Sequence, residues 1–69
     1  MENEEQYGAL VYDKIVHETQ LARLLKIADK EVWVPRSISE MDDKNIIWIK
    51  AWFLDKEDLW DFVEETEYL

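Results

Sequence analysis

Apolar and polar positions alternate through much of the first fifty residues, and that alternation predicts strands. From Ala9 to His17, Val11 and Ile15 stand against Leu10, Tyr12 and Val16. This spacing fits either period, and the β-branched and aromatic content favours a strand. Glu18-Thr19-Gln20 reads as a turn. Leu21 to Ala28 sets Leu21, Arg23, Leu25 and Ile27 against Ala22, Leu24, Lys26 and Ala28, a strand with both faces partly covered. Asp29-Lys30 reads as a short hairpin turn, with Asp at the position that tolerates a left-handed backbone. Glu31 to Val34 follows as a strand that Pro35 ends or places at an edge. Residues 36–44 form a polar loop from which Ile38 and Met41 dip into the core. Asn45 to Ala51 is the clearest strand, apolar on both parities as a central strand requires.

After this the period changes. Leu59, Phe62 and Val63 recur at helical spacing. Asp55 suits an N-cap, Asp58 falls at N3, and Leu54 and Leu59 stand where a hydrophobic staple forms. A second register starts the helix near Ala51 and leaves Asp55 inside it. The expected fold class is therefore α+β: a small antiparallel sheet or partly closed barrel of three or four strands with one C-terminal helix. Residues 1–69 make a single domain, with 1–7 frayed, 9–51 forming the sheet and 52–67 a mainly helical acidic tail.

A chain of 69 residues with no cysteine and one histidine, His17, has no disulfide, no thiolate metal site and no multi-histidine site. Its stability must come from the core, and nine aromatic residues, among them Trp33, Trp48, Trp52 and Trp60, supply large buried area. No stretch approaches the ~20 apolar residues of a membrane span. The acidic start, Met-Glu-Asn-Glu-Glu, lacks the pattern of a signal peptide, so the expected location is the cytoplasm.

The net charge is −9 and unevenly placed. Residues 1–13 carry four acids and no base. Residues 14–54 carry six acids and seven bases, and residues 55–69 carry seven acids and Lys56 alone. A phosphate backbone is gripped by clustered Lys and Arg, so direct nucleic-acid binding is disfavoured and a basic protein surface is the expected partner. On the expected C-terminal helix, Glu57, Asp61 and Glu64 form one stripe, and Asp58, Asp61 and Glu65 an overlapping one. Carboxylates one turn apart would coarsely imitate a row of phosphates. Acids at a helix C-terminus also oppose the macrodipole, which suggests a role other than folding.

The motifs His-Glu-Thr (17–19), Ala-Arg-Leu-Leu-Lys-Ile (22–27), Glu-Val-Trp-Val-Pro-Arg-Ser (31–37), Asn45 to Ile49 and Trp52-Phe53-Leu54 resemble those of a loose group of small phage and mobile-element proteins, mostly of unknown function. Those proteins pair an "HET…A…L" strand with a "VW[IV]P[KR]S" strand and end in a strand followed by a "W-L" helix. The likeness covers roughly residues 11–56. It implies a small antiparallel β fold with one helix and a phage or plasmid setting, and it carries no active site. The chain departs from the group in having Asp29-Lys30 where a glycine often helps the hairpin, and in its acidic tail.

His17 and Glu18 are the only neighbours that suggest acid–base chemistry, yet adjacent strand residues face opposite ways. A structural histidine bonded to backbone is the expectation. Glu40, Asp42 and Asp43 lack the spacing and glycine of a calcium loop, so no metal or cofactor is expected. The expected function is non-enzymatic: an acidic binding protein that inhibits a host nucleic-acid-handling defence complex, in the manner of anti-CRISPR or anti-restriction proteins, by occupying a basic groove. The partner-binding residues would be Glu57, Asp58, Asp61, Glu64, Glu65, Trp52, Phe53 and Arg36. One alternative is an accessory module of a phage replication or recombination complex, using Trp52, Phe53 and Arg36. Another is a nucleic-acid-binding β-barrel with Trp33, Trp48, Arg23, Lys26 and Arg36. A second copy of the chain is a further candidate partner.

Overall fold

A computed structural model describes residues 5–42 and 44–68. Seven strands form two antiparallel sheets. The elements run β1 (Gln6–Val11), β2 (Lys14–Glu18), β3 (Ala22–Ile27), β4 (Lys30–Pro35), a 3-10 turn (Arg36–Ile38), β5 (Ser39–Met41), β6 (Ile46–Lys50), α1 (Ala51–Glu57), a second 3-10 turn (Trp60–Phe62) and β7 (Val63–Tyr68). Strand order is β5-β6-β1-β7 in one sheet and β2-β3-β4 in the other. The expected antiparallel β fold with one helix holds, but with seven strands among the described residues where three or four were expected, in two sheets where one sheet or a partly closed barrel was expected.

The long Ala9–His17 strand divides at Tyr12-Asp13, where the chain leaves one sheet for the other. The backbone N–H of Tyr12 donates to Asn45 and that of Asp13 to Lys26, which fixes the crossing. Gln6 and Tyr7 are not frayed: they pair with Tyr68 and Glu67. Residues 1–4 of the expected frayed segment lie outside the described residues.

β6 is central, as its pattern predicts, lying between β5 and β1 with Ile47 and Ile49 fully buried. Leu10, Ile47 and Ile49 of one sheet meet Leu25, Ile27, Val32 and Val34 of the other, and Phe53, Leu54 and Leu59 complete one continuous core. Ile38 is buried and Met41 packs against the core, as expected, but the expected 36–44 loop is a 3-10 turn (Arg36–Ile38) followed by strand β5 (Ser39–Met41), which pairs with β6.

The C-terminal reading needs the largest correction. The helix begins at Ala51, so Asp55 lies inside it, and it ends after two turns at Asp58, whose backbone is left-handed (φ 59°, ψ 50°). Residues 63–68 are a strand. Leu59 is buried, but through a reversal that carries the chain back to β1, where Val63 to Tyr68 complete the sheet edge. Tertiary pairing has overridden a weak local helical period. At the β3–β4 hairpin the left-handed residue is Ala28 (φ 54°), not Asp29.

Gly8 explains how β7 and α1 fit over β1. A Cβ built there would lie 2.7 Å from Leu54 Cδ1 and 3.0 Å from Val63 Cγ1. A side chain there would require the Leu54 tip to turn aside and Val63 to give by a few tenths of an ångström, so glycine lets both close on the strand without adjustment.

Candidate functional site: an acidic groove beside an open sheet edge

The acidic residues expected on one helix are distributed over three elements and the cap of the first. Glu57 ends α1, with its side chain near Lys56 Nζ at 3.3 Å and its carbonyl accepting from Lys30 Nζ. Asp58 is the left-handed C-cap, Asp61 lies in the second 3-10 turn, and Glu64 and Glu65 lie in β7. The phosphate-like helical stripe is therefore absent.

A different grouping replaces it. Ala9 pairs with Glu65 and Leu10 with Val63, which leaves Glu64 as the extra residue of a β-bulge. This places Glu64 beside Asp61 in an open groove of about 350 Å³, where Asp13 from the β1–β2 crossing joins them. Val11, Ile27, Phe62 and Val63 supply the apolar lining. Two distant parts of the chain, the β1–β2 crossing and residues 61–64, thus bring three carboxylates to one partly apolar groove. Asp13 is paired with Lys26, whose Nζ lies 3.9 Å from its carboxylate. Among the described residues neither Asp61 nor Glu64 has an ion-pair partner.

The groove adjoins the open edge of the four-stranded sheet. β7 is the terminal strand, so its outward backbone groups have no ladder partner among the described residues. On one face of this sheet Glu40, Trp48, Ala9 and Glu65 form a cross-strand row, with Lys50, Tyr7 and Glu67 in the next. Ala9 is buried although it lies on this face, and Trp48, its direct neighbour in the row, is half-buried.

Phe53 is only 4% exposed and belongs to the core, so it is not available as an interface residue. Trp52 is 50% exposed and meets the Phe53 ring edge-on. Arg36 donates from Nε to the Thr19 carbonyl at 3.0 Å, and its Nη2 lies 3.5 Å from Glu18. Glu18 also pairs with Arg23 at 3.6 Å. One carboxylate thus engages two of the three cations that a nucleic-acid platform would need. Trp33 and Trp48 stand on different sheets and form no common stacking surface.

His17 and Glu18 pair with Leu24 and Arg23 respectively and so face opposite sides of their sheet. The His17 ring is exposed and packs edge-on against Trp33, with centroids 6.0 Å apart, an aromatic contact in place of the expected backbone bond. Asp42 Oδ1 accepts from the backbone N–H of Lys44 and Ile46 and so shapes its own turn. Asp43 lies outside the described residues. Among the described residues no three His, Asp or Glu side chains converge to hold a metal ion, and no helix is long and apolar enough to cross a membrane.

Sequence reasoning missed Asp13 because its contribution depends on the crossing between sheets. The one available signal was an acid directly after Tyr12, interrupting an otherwise apolar run. Comparison with protein-family models, curated proteins and solved structures finds no match to this chain.

Proposed function

We propose that this protein is a non-enzymatic binder of basic protein surfaces, and that it inhibits a nucleic-acid-handling defence complex of the anti-CRISPR or anti-restriction type. The observation that carries the reading is the convergence of Asp13, Asp61 and Glu64 on one groove, continued by Glu65 and Glu67 along the open β7 edge. Asp61 and Glu64, which have no ion-pair partner among the described residues, favour a cationic partner, and the summed field of the acidic groups raises the association rate. Glu65 and Glu67 stand two residues apart on β7, about 6.6 Å at ~3.3 Å per residue, and so lie on the same face of the sheet, where one cationic partner meets both.

The test is DNA cleavage by purified CRISPR effectors and restriction endonucleases, with and without the protein. Inhibition should weaken as salt rises and should fall in the Asp58→Asn, Asp61→Asn, Glu65→Gln variant, which remains folded because all three residues are exposed. Full inhibition by that variant would refute the acidic-surface mechanism. A second reading, an accessory module of a phage replication or recombination complex, draws on Trp52, which is large, half exposed and held by Phe53. Loss of partner binding in Trp52→Ala with retention in the charge variant would favour it.

A further inference from the structure

We propose that the groove is an arginine site, receiving one arginine side chain from an extended segment of the basic partner. This rests on the binding reading above and names the chemistry of its partner. The groove combines two features that arginine matches together. Its apolar lining of Val11, Ile27, Phe62 and Val63 suits the aliphatic stem of a long basic side chain, which packs on apolar surface while its charged head stays polar. Its three carboxylates border that lining and come from two parts of the chain, Asp13 from the β1–β2 crossing and Asp61 and Glu64 from the consecutive 3-10 turn and β7. A guanidinium is planar, carries five donors and can engage more than one carboxylate, and it stacks on aromatic faces such as that of Phe62.

The volume of about 350 Å³ lies at the small end of ligand clefts and suits one side chain rather than a helix. A metal ion is not the occupant these carboxylates fit, since no three of them converge on one point among the described residues. The segment bearing the arginine is extended because β7, which supplies Val63 and Glu64, leaves its outer backbone groups free for a further strand.

The experiment is a nuclear magnetic resonance titration of the full chain with acetyl-Gly-Gly-Arg-Gly-Gly-amide at low salt. Matched peptides carry lysine or citrulline in place of the arginine. The arginine peptide should shift the amides of Ile27, Ala28, Phe62, Val63 and Glu64 with a Kd on the order of 1 mM. The lysine peptide should bind several-fold more weakly, and citrulline, which keeps the shape and loses the charge, should not bind. Asp61→Asn and Glu64→Gln should each weaken the arginine peptide by roughly threefold. Glu40→Gln removes the same charge on β5, at the opposite edge of the sheet, and should change nothing. Equal binding of arginine and citrulline, or of arginine and lysine, overturns the proposal. If Glu40→Gln weakens binding as much as Asp61→Asn, the arginine site fails and a diffuse acidic surface survives. If neither this peptide nor an octa-arginine peptide binds at all, both readings fail.

Discussion

Replacing Gly8 by alanine tests how the acidic edge is held to the rest of the molecule. The added methyl would sit 2.7 Å from Leu54 Cδ1 and 3.0 and 3.2 Å from the two Val63 methyls. Leu54 can turn aside, although it is fully buried, but Val63 is β-branched and has little rotamer freedom. Overpacking of this kind costs about 1–3 kcal/mol. Alanine gives back about 0.5–1 kcal/mol because glycine loses more conformational freedom on folding. The net expectation is a destabilisation of about 1 kcal/mol, or roughly 4–8 °C in Tm for a domain of this size. Thermal unfolding followed by tryptophan fluorescence measures it, and hydrogen exchange locates it: amides of β7 should exchange faster while those of β3 keep their protection. Removing the stiff neighbour should relieve the strain, so Gly8→Ala with Val63→Ala should be less destabilised than the two single changes added together. An unchanged or raised Tm in Gly8→Ala would refute the argument that close packing dictates glycine here.

Ala28→Gly should raise stability by about 0.5–1 kcal/mol, because Ala28 holds a left-handed backbone that glycine adopts without penalty; a lower denaturation midpoint would contradict this. Asp58→Gly should stabilise by a similar amount, since Asp58 is the left-handed C-cap of α1 and its carboxylate opposes the helix dipole; chemical denaturation reads the difference. Fluorescence anisotropy with labelled duplex or single-stranded DNA at physiological salt should detect no binding, because the net charge is −9 and Glu18 already engages Arg23 and Arg36. Micromolar affinity that weakens steeply with salt would overturn that expectation.

Most of the strands were legible in the sequence, because β3, β4 and β6 each carry the period of a half- or fully buried strand. β6 is the clearest case, with Ile47 and Ile49 buried on one face and Ile46 and Trp48 half-buried on the other. What was not legible depends on long-range pairing. Val63 to Tyr68 holds three glutamates, poor strand formers, and becomes a strand because β1 offers a partner along its whole length. Leu59, Phe62 and Val63 imitate a helical face, but Asp58 has already reversed the chain in a left-handed conformation that the sequence Glu-Asp-Leu does not announce. The candidate site was legible by residue type but not by arrangement. Asp61 and Glu64 were singled out for a shared helix face, whereas a 3-10 turn and a bulge bring them together, and Asp13 joins them only once the two sheets are in place.

The order of strands along the chain has a consequence for how the molecule assembles. The three-stranded sheet is contiguous, with β2, β3 and β4 joined by two short turns, so its pairing closes only small loops. The four-stranded sheet is closed by β1, whose partners lie about forty and sixty residues further on, at Ile46–Lys50 and Val63–Tyr68. Loop-closure entropy makes such distant pairings slow to form. We expect the β2–β4 meander to serve as the early nucleus and β1 to dock late, so that the acidic edge is the last part of the protein to exist. Core substitutions at Leu25 would then slow folding, whereas those at Val63 would mainly speed unfolding.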